Sequence, residues 1–343
     1  MRTLLWRLER GKDNTAALSE AAALIRGGGT VAFPTETVYG LGADGLSETA
    51  VKKIFAAKGR PADNPLILHI ADKGKIRLLA REVPDCAEKF IENFWPGPLT
   101  LVLKKRRQVP DAVTAGLDTV AVRMPSHPVA ARFINICGTP LAAPSANISG
   151  RPSPTEAQAV ADDLMGRIGG IIDGGSAAWG IESTVVDCAV SPPVILRPGA
   201  VTREDIEKVS PVREGEQGSG APRSPGMKYR HYAPRAPLYL LSPADAARLA
   251  AFLISQGQGR SRVGVLAGRD LLDDLPAGII GLGGWRGEQD YGLLAANLYQ
   301  WLREFDRRGA ELILAQPVAA AGIGRAVNNR LFKAAGGKFF VFG

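Results

Sequence analysis

The stretch that most limits what this chain can fold into is Thr30 to Gly45, Thr-Val-Ala-Phe-Pro-Thr-Glu-Thr-Val-Tyr-Gly-Leu-Gly-Ala-Asp-Gly. It begins as a short apolar strand, Thr30 to Phe33, entered from Gly27-Gly28-Gly29. Pro34 has no amide hydrogen to offer a sheet ladder, so the strand stops there. Thr35, Glu36, Thr37 and Tyr39 then ride on the loop leaving the strand, with Gly40, Gly42 and Gly45 behind them. Polar side chains at a strand exit are a common way for an α/β protein to build a site at its sheet edge.

The remaining pattern supplies a sheet for that loop to leave. Leu18, Ala21, Ala22 and Ile25 fall on one helical face that ends at the Gly27 run. Ser47 can cap a helix whose buried stripe is Val51, Ile54 and Phe55, and that helix delivers Lys58 and Arg60 into a loop with Gly59 and Pro61. Strands are expected at Leu66 to Ile70 (which holds His69), Leu99 to Leu103, Thr119 to Arg123, Pro140 to Ala143, Val185 to Cys188 and Val194 to Leu196. Ser153, Pro154 and Glu156 read as the cap, first-turn proline and capping-box glutamate of another helix. This alternation predicts a twisted, mixed α/β sheet over residues 1–209.

Residues 210–237 change character. They are rich in Gly, Pro, Ser and Arg without aliphatic periodicity, the composition of a linker, and the aromatics Tyr229, His231 and Tyr232 among its cations predict that it serves as a lid. Beyond them, Leu238 to Leu241, Val263 to Ala267, Ile279 to Leu282 and Leu312 to Ala315 read as strands, with helices from Ser242 and near Glu288. That predicts a second, smaller, Rossmann-like α/β domain over 238–343, and a length of 343 residues suits two cores.

A net charge of +8 favours anionic partners such as nucleotides, phosphates or RNA. Cys86, Cys137 and Cys188 are odd in number and widely spaced, so neither a zinc site nor a disulfide framework is expected, and a reducing compartment is. Arg2, Arg7, Glu9 and Arg10 break any signal-peptide pattern, and no apolar run approaches the ~20 residues that span a bilayer. The expectation is a cytoplasmic protein without membrane contact.

Gly40, Gly42 and Gly45 match G-x-G-x-x-G, which raises a dinucleotide-binding oxidoreductase as an alternative. The context is wrong for it: six residues separate the strand from the first glycine, and the acidic residue expected downstream would be Asp63, in a Pro-flanked loop. No G-x-x-x-x-G-K-[ST] occurs. Lys58 and Arg60 could be ordinary solvated cations at a helix C-terminus. Yet Arg123, Arg197, Ser145, Asn147 and Ser183 also sit at strand exits or beside them, and cations with neutral donors are what a triphosphate needs. There is no Ser-His-Asp arrangement and no His/Cys/carboxylate cluster for a transition metal. Such a set is equipped for positioning and electrostatics, as nucleotidyl or phosphoryl transfer requires.

Several motifs occur in fixed order: Phe33-Pro34-Thr35-Glu36-Thr37-Val38-Tyr39-Gly40, Lys58-Gly59-Arg60-Pro61, Asn64-Pro65-Leu66, Trp95-Pro96-Gly97-Pro98, Pro144-Ser145-Ala146-Asn147, Glu182-Ser183-Thr184 and Arg197-Pro198-Gly199. Together they resemble the threonylcarbamoyl-AMP synthases with a YrdC-like domain. Ser224-Pro225-Gly226-Met227-Lys228-Tyr229-Arg230-His231-Tyr232 resembles the linker of the long, two-domain form. The resemblance implies L-threonine, bicarbonate or CO2, and ATP as substrates, Mg²⁺ carried mainly by the triphosphate, and pyrophosphate as a product. It implies Lys58, Arg60, Ser145 and Asn147 as the catalytic nucleotide-holding set, with Asn64, Thr119, Ser153, Arg197 and Tyr232 as further ATP contacts. Thr37, His69, Arg123, Ser183 and the Ala143 backbone are the implied threonine pocket. It further implies a downstream tRNA threonylcarbamoyltransferase as partner, in the pathway to threonylcarbamoyladenosine in tRNA. A double-stranded RNA-binding module of the same fold is the alternative, since the basic charge would allow RNA contact.

Overall fold

A computed structural model of the chain describes residues 2–9, 11–215, 231–255 and 262–341. It divides into two units, residues 1–149 with 153–228 and residues 150–152 with 229–343. The division falls within the span read as a linker, most of which (216–230) lies outside the described residues, including Ser224 to Arg230.

Among the described residues the first unit contains eleven strands: β1 (Leu4–Arg7), β2 (Val31–Phe33), β3 (Gly40–Asp44), β4 (Ile67–His69), β5 (Leu99–Lys104), β6 (Thr119–Arg123), β7 (Leu141–Ala142), β8 (Gly170–Asp173), β9 (Thr184–Asp187), β10 (Val194–Arg197) and β11 (Arg213–Glu214). They form one sheet in the order β1-β8-β2-β3-β7-β4-β6-β5-β9-β10-β11. Pairing is mixed, with β4 and β6 parallel and β5 and β6 antiparallel. Neighbouring strand residues serve opposite faces. Thus Val31 and Phe33 join one apolar cluster and Ala32 the other, so the sheet carries a core on each side.

The glycine-rich run forms a strand, an element its composition does not signal. β2 and β3 pair antiparallel, with Phe33 opposite Gly40 and Val31 opposite Gly42. A Cβ on Gly42 would lie 2.8 Å from Phe33 Cε1, so the glycine is there to let the Phe33 ring lie against the strand. This removes the dinucleotide reading, which needs those glycines in a turn opening onto a helix.

The helix Glu48–Lys58 starts where expected, Ser47 accepting from Ala50 N at 3.3 Å, and ends as Gly59 turns left-handed at φ 60°. The expected capping box at Ser153 does not form. That helix spans Ala157–Leu164 with Glu156 before it and no side-chain cap. Ser153 is instead buried and donates to Glu182 Oε1 at 2.6 Å, so a distant carboxylate has won over the local cap.

The second unit holds β12 (Leu238–Leu240), β13 (Val263–Ala267), β14 (Ile280–Gly283) and β15 (Leu312–Ala315), all parallel, in the order β12-β15-β13-β14. Helices Pro243–Ser255, Tyr291–Arg307 and Gly322–Ala335 accompany them. Among the described residues no helix is long and apolar enough to cross a membrane.

Candidate active site

The loop after β2 is fixed by its own threonine. Thr35 Oγ1 donates to Val38 O at 2.6 Å and accepts from Thr37 N and Val38 N at 3.2 and 3.3 Å. Such a side-chain turn holds backbone polar groups that Pro34 has excluded from the ladder. It also presents the side chains of Glu36 and Thr37 to the end of β6.

Arg123 ends β6 and is only 3% exposed. Its Nη1 donates to Thr37 Oγ1 at 2.8 Å, its Nε to Gly97 O at 3.2 Å, and its Nη2 lies 2.6 Å from Glu36 Oε1. Burial acts to raise the Glu36 carboxyl, but the Arg123 charge overrides it and holds that group below the usual carboxylate range. His69 ends β4 directly beside Arg123 in the parallel register. Burial, helped by the neighbouring Arg123 charge, pushes its imidazole down to about 3, so it stays neutral at physiological pH. Its Nδ1 lies 3.3 Å from Ile67 O, and its ring meets Phe33 edge-on at 6.1 Å.

Thr100, opposite Arg123 in the antiparallel register, brings in Ser183 through a 2.8 Å hydroxyl contact. Arg197 donates to Ser183 Oγ at 3.1 Å and grips Ser183 O through Nε and Nη2 at 3.1 and 2.9 Å. Ala143, just past β7, donates its amide to Ile67 O at 2.9 Å. Thr37, His69, Arg123, Ser183 and the Ala143 backbone therefore gather around the ends of adjacent strands.

The second group is organised around a buried lysine. Lys58 is not a solvated cation: it is 1% exposed, and its Nζ donates to Ser145 O at 2.6 Å and Asn147 O at 2.5 Å. Burial, then the Arg60 charge, pushes its amine well below the usual lysine range. Lys58 thus pins the Pro144–Asn147 loop from beneath, and within that loop Ser145 Oγ donates to Asn147 Oδ1 at 2.5 Å. Asp163 takes the next amide, accepting from Ile148 N at 3.3 Å. Arg60 is half-buried and donates to Asn64 O at 3.3 Å and Pro65 O at 3.1 Å. Asn64 is itself 1% exposed, with neither side-chain polar atom hydrogen-bonded. A buried amide without partners is costly unless a ligand completes it.

Asn64 precedes β4 and Thr119 opens β6, at the end of these parallel strands opposite His69 and Arg123. The two ends of β6 are about 13 Å apart. Tyr232 lies in the second unit, at φ 65°, its ring stacked on Tyr299 at 5.2 Å with Arg330 over it at 5.9 Å. Sequence reasoning gave no role to Glu36, Thr100 or Glu182. Glu36 was visible as a carboxylate in an otherwise neutral motif, whereas Thr100 and Glu182 acquire their partners only through sheet register.

A family model described as "Telomere recombination" matches residues 23–199, and one described as "Threonylcarbamoyl-AMP synthase, C-terminal domain" matches 201–336. The threonylcarbamoyl-AMP synthase of Pyrococcus abyssi is 49% identical over 329 residues, 92% of this chain and 93% of its own length. That of Bacillus subtilis is 48% identical over 333 residues, 95% and 94% of the two chains. The solved structure of P. abyssi Sua5 complexed with L-threonine is similar at TM-score 0.89 and 45% identity, over 99% of both chains. A His/Tyr double-alanine variant of that protein gives 0.91 and 44%, over 98% of this chain and 97% of its own.

Proposed function

This chain belongs to the threonylcarbamoyl-AMP synthase family in its two-domain form, and from that premise we propose that it makes L-threonylcarbamoyl-AMP and pyrophosphate from L-threonine, bicarbonate or CO2, and ATP. The observation that carries the reading is the 49% identity to a synthase over 92% of the chain. An RNA-binding module would account for the basic charge but not for a match running through both domains.

In this reading the β4 and β6 strand ends hold the amino acid. Arg123 takes its carboxylate, and Thr37, Ser183 and neutral His69 surround its hydroxyl and methyl. The threonine amine takes up CO2 with loss of a proton to give a carbamate. A carbamate oxygen then bonds to the α-phosphorus of ATP as the bond to the β-phosphate bridge breaks and pyrophosphate leaves. Neither step needs a protein nucleophile. Both need two anions brought together, which is a task of positioning and charge. Arg60 supplies a forked cation toward the phosphates, and Ser145 and Asn147 supply neutral polar groups from the loop that Lys58 holds. Asn64 offers its unpartnered amide, with Thr119, Ser153 and Arg197 as further contacts to the nucleotide. ATP enters as its Mg²⁺ complex, the ion held mainly by the triphosphate. The product then passes to a tRNA-modifying transferase in the cytoplasm.

The test is pyrophosphate release from ATP in the presence of bicarbonate. The proposal expects release that depends on L-threonine. Equal release with and without threonine, or salt-sensitive RNA binding with no turnover, would overturn it.

A further inference from the structure

Glu36 and Arg123 lie 2.6 Å apart and are both nearly closed to water, yet they are not well joined. The contact is close but poorly aligned, and beyond Arg123 the carboxylate has only the backbone amides of Glu36 and Ser126 beside it. A touching but unaligned buried ion pair retains unspent acceptors on one side and unspent donors on the other, and groups left so are costly in a low-dielectric site. Thr37 Oγ1 and Gly97 O accept from only two of the five guanidinium N–H groups.

The pair also fixes the charge of the pocket. Glu36 cancels Arg123, and burial keeps His69 neutral. A lone carboxylate entering beside Arg123 would therefore meet Glu36 as an uncompensated like charge. An α-amino acid brings its own cation one carbon away from its carboxylate. Resting on the reading of this pocket as the threonine site, we infer that Glu36 receives the α-ammonium while Arg123 receives the carboxylate, so that the site selects the zwitterion. One strained internal pair is exchanged for two ion pairs with the ligand, and the pocket's net charge does not change. Conversion of the ammonium to a carbamate takes up CO2 and gives up two protons to water, which reverses the charge facing Glu36, so the contact that admits threonine is not one the carbamate keeps. Glu36 is thus a specificity-determining residue, beyond its part as a counter-ion.

The test is calorimetric binding of L-threonine and of (R)-3-hydroxybutyrate, which lacks only the ammonium, to the full chain and its Glu36→Gln variant. The wild type should prefer threonine by on the order of 100-fold, as sites built to bond a polar group reject analogues without it. Glu36→Gln should weaken threonine about tenfold or more while leaving 3-hydroxybutyrate unchanged or tighter, collapsing the ratio. Equal weakening of both ligands, as a merely structural role would give, overturns the inference. So does a wild type that binds threonine without discriminating. If Glu36→Gln does not fold, Glu36→Asp carries the test: a selective loss for threonine supports the assignment, and a parallel loss overturns it. A wild type that binds no threonine overturns the pocket reading as well, which separates the two failures.

Discussion

Replacing Lys58 with Met removes an amine and little else. The Met stem follows the same buried path, so the change isolates the bonds from Nζ to Ser145 O at 2.6 Å and Asn147 O at 2.5 Å. Leaving each of two buried carbonyls without its donor costs about 1–3 kcal/mol. Removing an amine whose charged form burial disfavours offsets part of that loss. The carbonyl term wins because there are two acceptors and one amine, for a net destabilisation of about 2–3 kcal/mol. For a unit of this size that lowers the melting temperature by roughly 5–10 °C. Scanning calorimetry of the full chain measures it in the first unit's transition. Pyrophosphate release at subsaturating ATP should fall at least about tenfold, because the loop with Ser145 and Asn147 loses its pin. A Lys58→Met protein melting within about 2 °C of wild type would refute the claim that this lysine holds the loop.

Arg60→Ala should behave in the opposite proportion: its contacts include Asn64 O and Pro65 O at a half-buried position, so stability should change by less than about 1 kcal/mol while ATP binding, read by titration, weakens by about 1.5–3 kcal/mol. For His69, the folded pKa of about 3 lies below the ordinary histidine value of 6.5, so between them the unfolded chain holds the extra proton and stability falls as pH drops through that window. The loss at pH 5 should be about 2 kcal/mol relative to neutral pH, and urea titrations at the two pH values should show it vanish in His69→Gln. In Gly199→Ala, the new Cβ would fall 2.3 Å from Thr184 N and 2.5 Å from Ser183 C, so the backbone must shift. A loss of about 1–3 kcal/mol in stability, with weaker threonine binding by calorimetry, is expected.

The sequence made some elements plain. Val263–Ala267 and Leu312–Ala315 form strands at the bounds read for them, because buried parallel strands are continuous β-branched and aliphatic runs. The helix ending at Lys58 was equally readable, from Ser47 at one end and Gly59 at the other. The Gly40–Asp44 strand was not, since glycines have little β propensity and their reason lies across the hairpin, in the Phe33 ring. Leu4–Arg7 was missed because its partner is Gly170–Asp173, a pairing with no local signal. Cys86 and Cys188 read as unrelated, yet Cys86 packs against the apolar cluster that contains Cys188. In the candidate site, motif order marked the residues but not their environment. That Lys58 is buried beneath a loop, and that Glu36 is paired with Arg123, depends on contacts between segments far apart in the chain.

The most direct test of the account follows the carbon. Full-length protein would be incubated with L-threonine, MgATP and ¹³C-bicarbonate, and the nucleotide products read by mass spectrometry and ¹³C NMR. The account predicts one new adenylate with the label in a carbamoyl carbon between the threonine nitrogen and the AMP phosphate, formed one-for-one with pyrophosphate. ADP with inorganic phosphate, or a threonyl adenylate carrying no label, would contradict it.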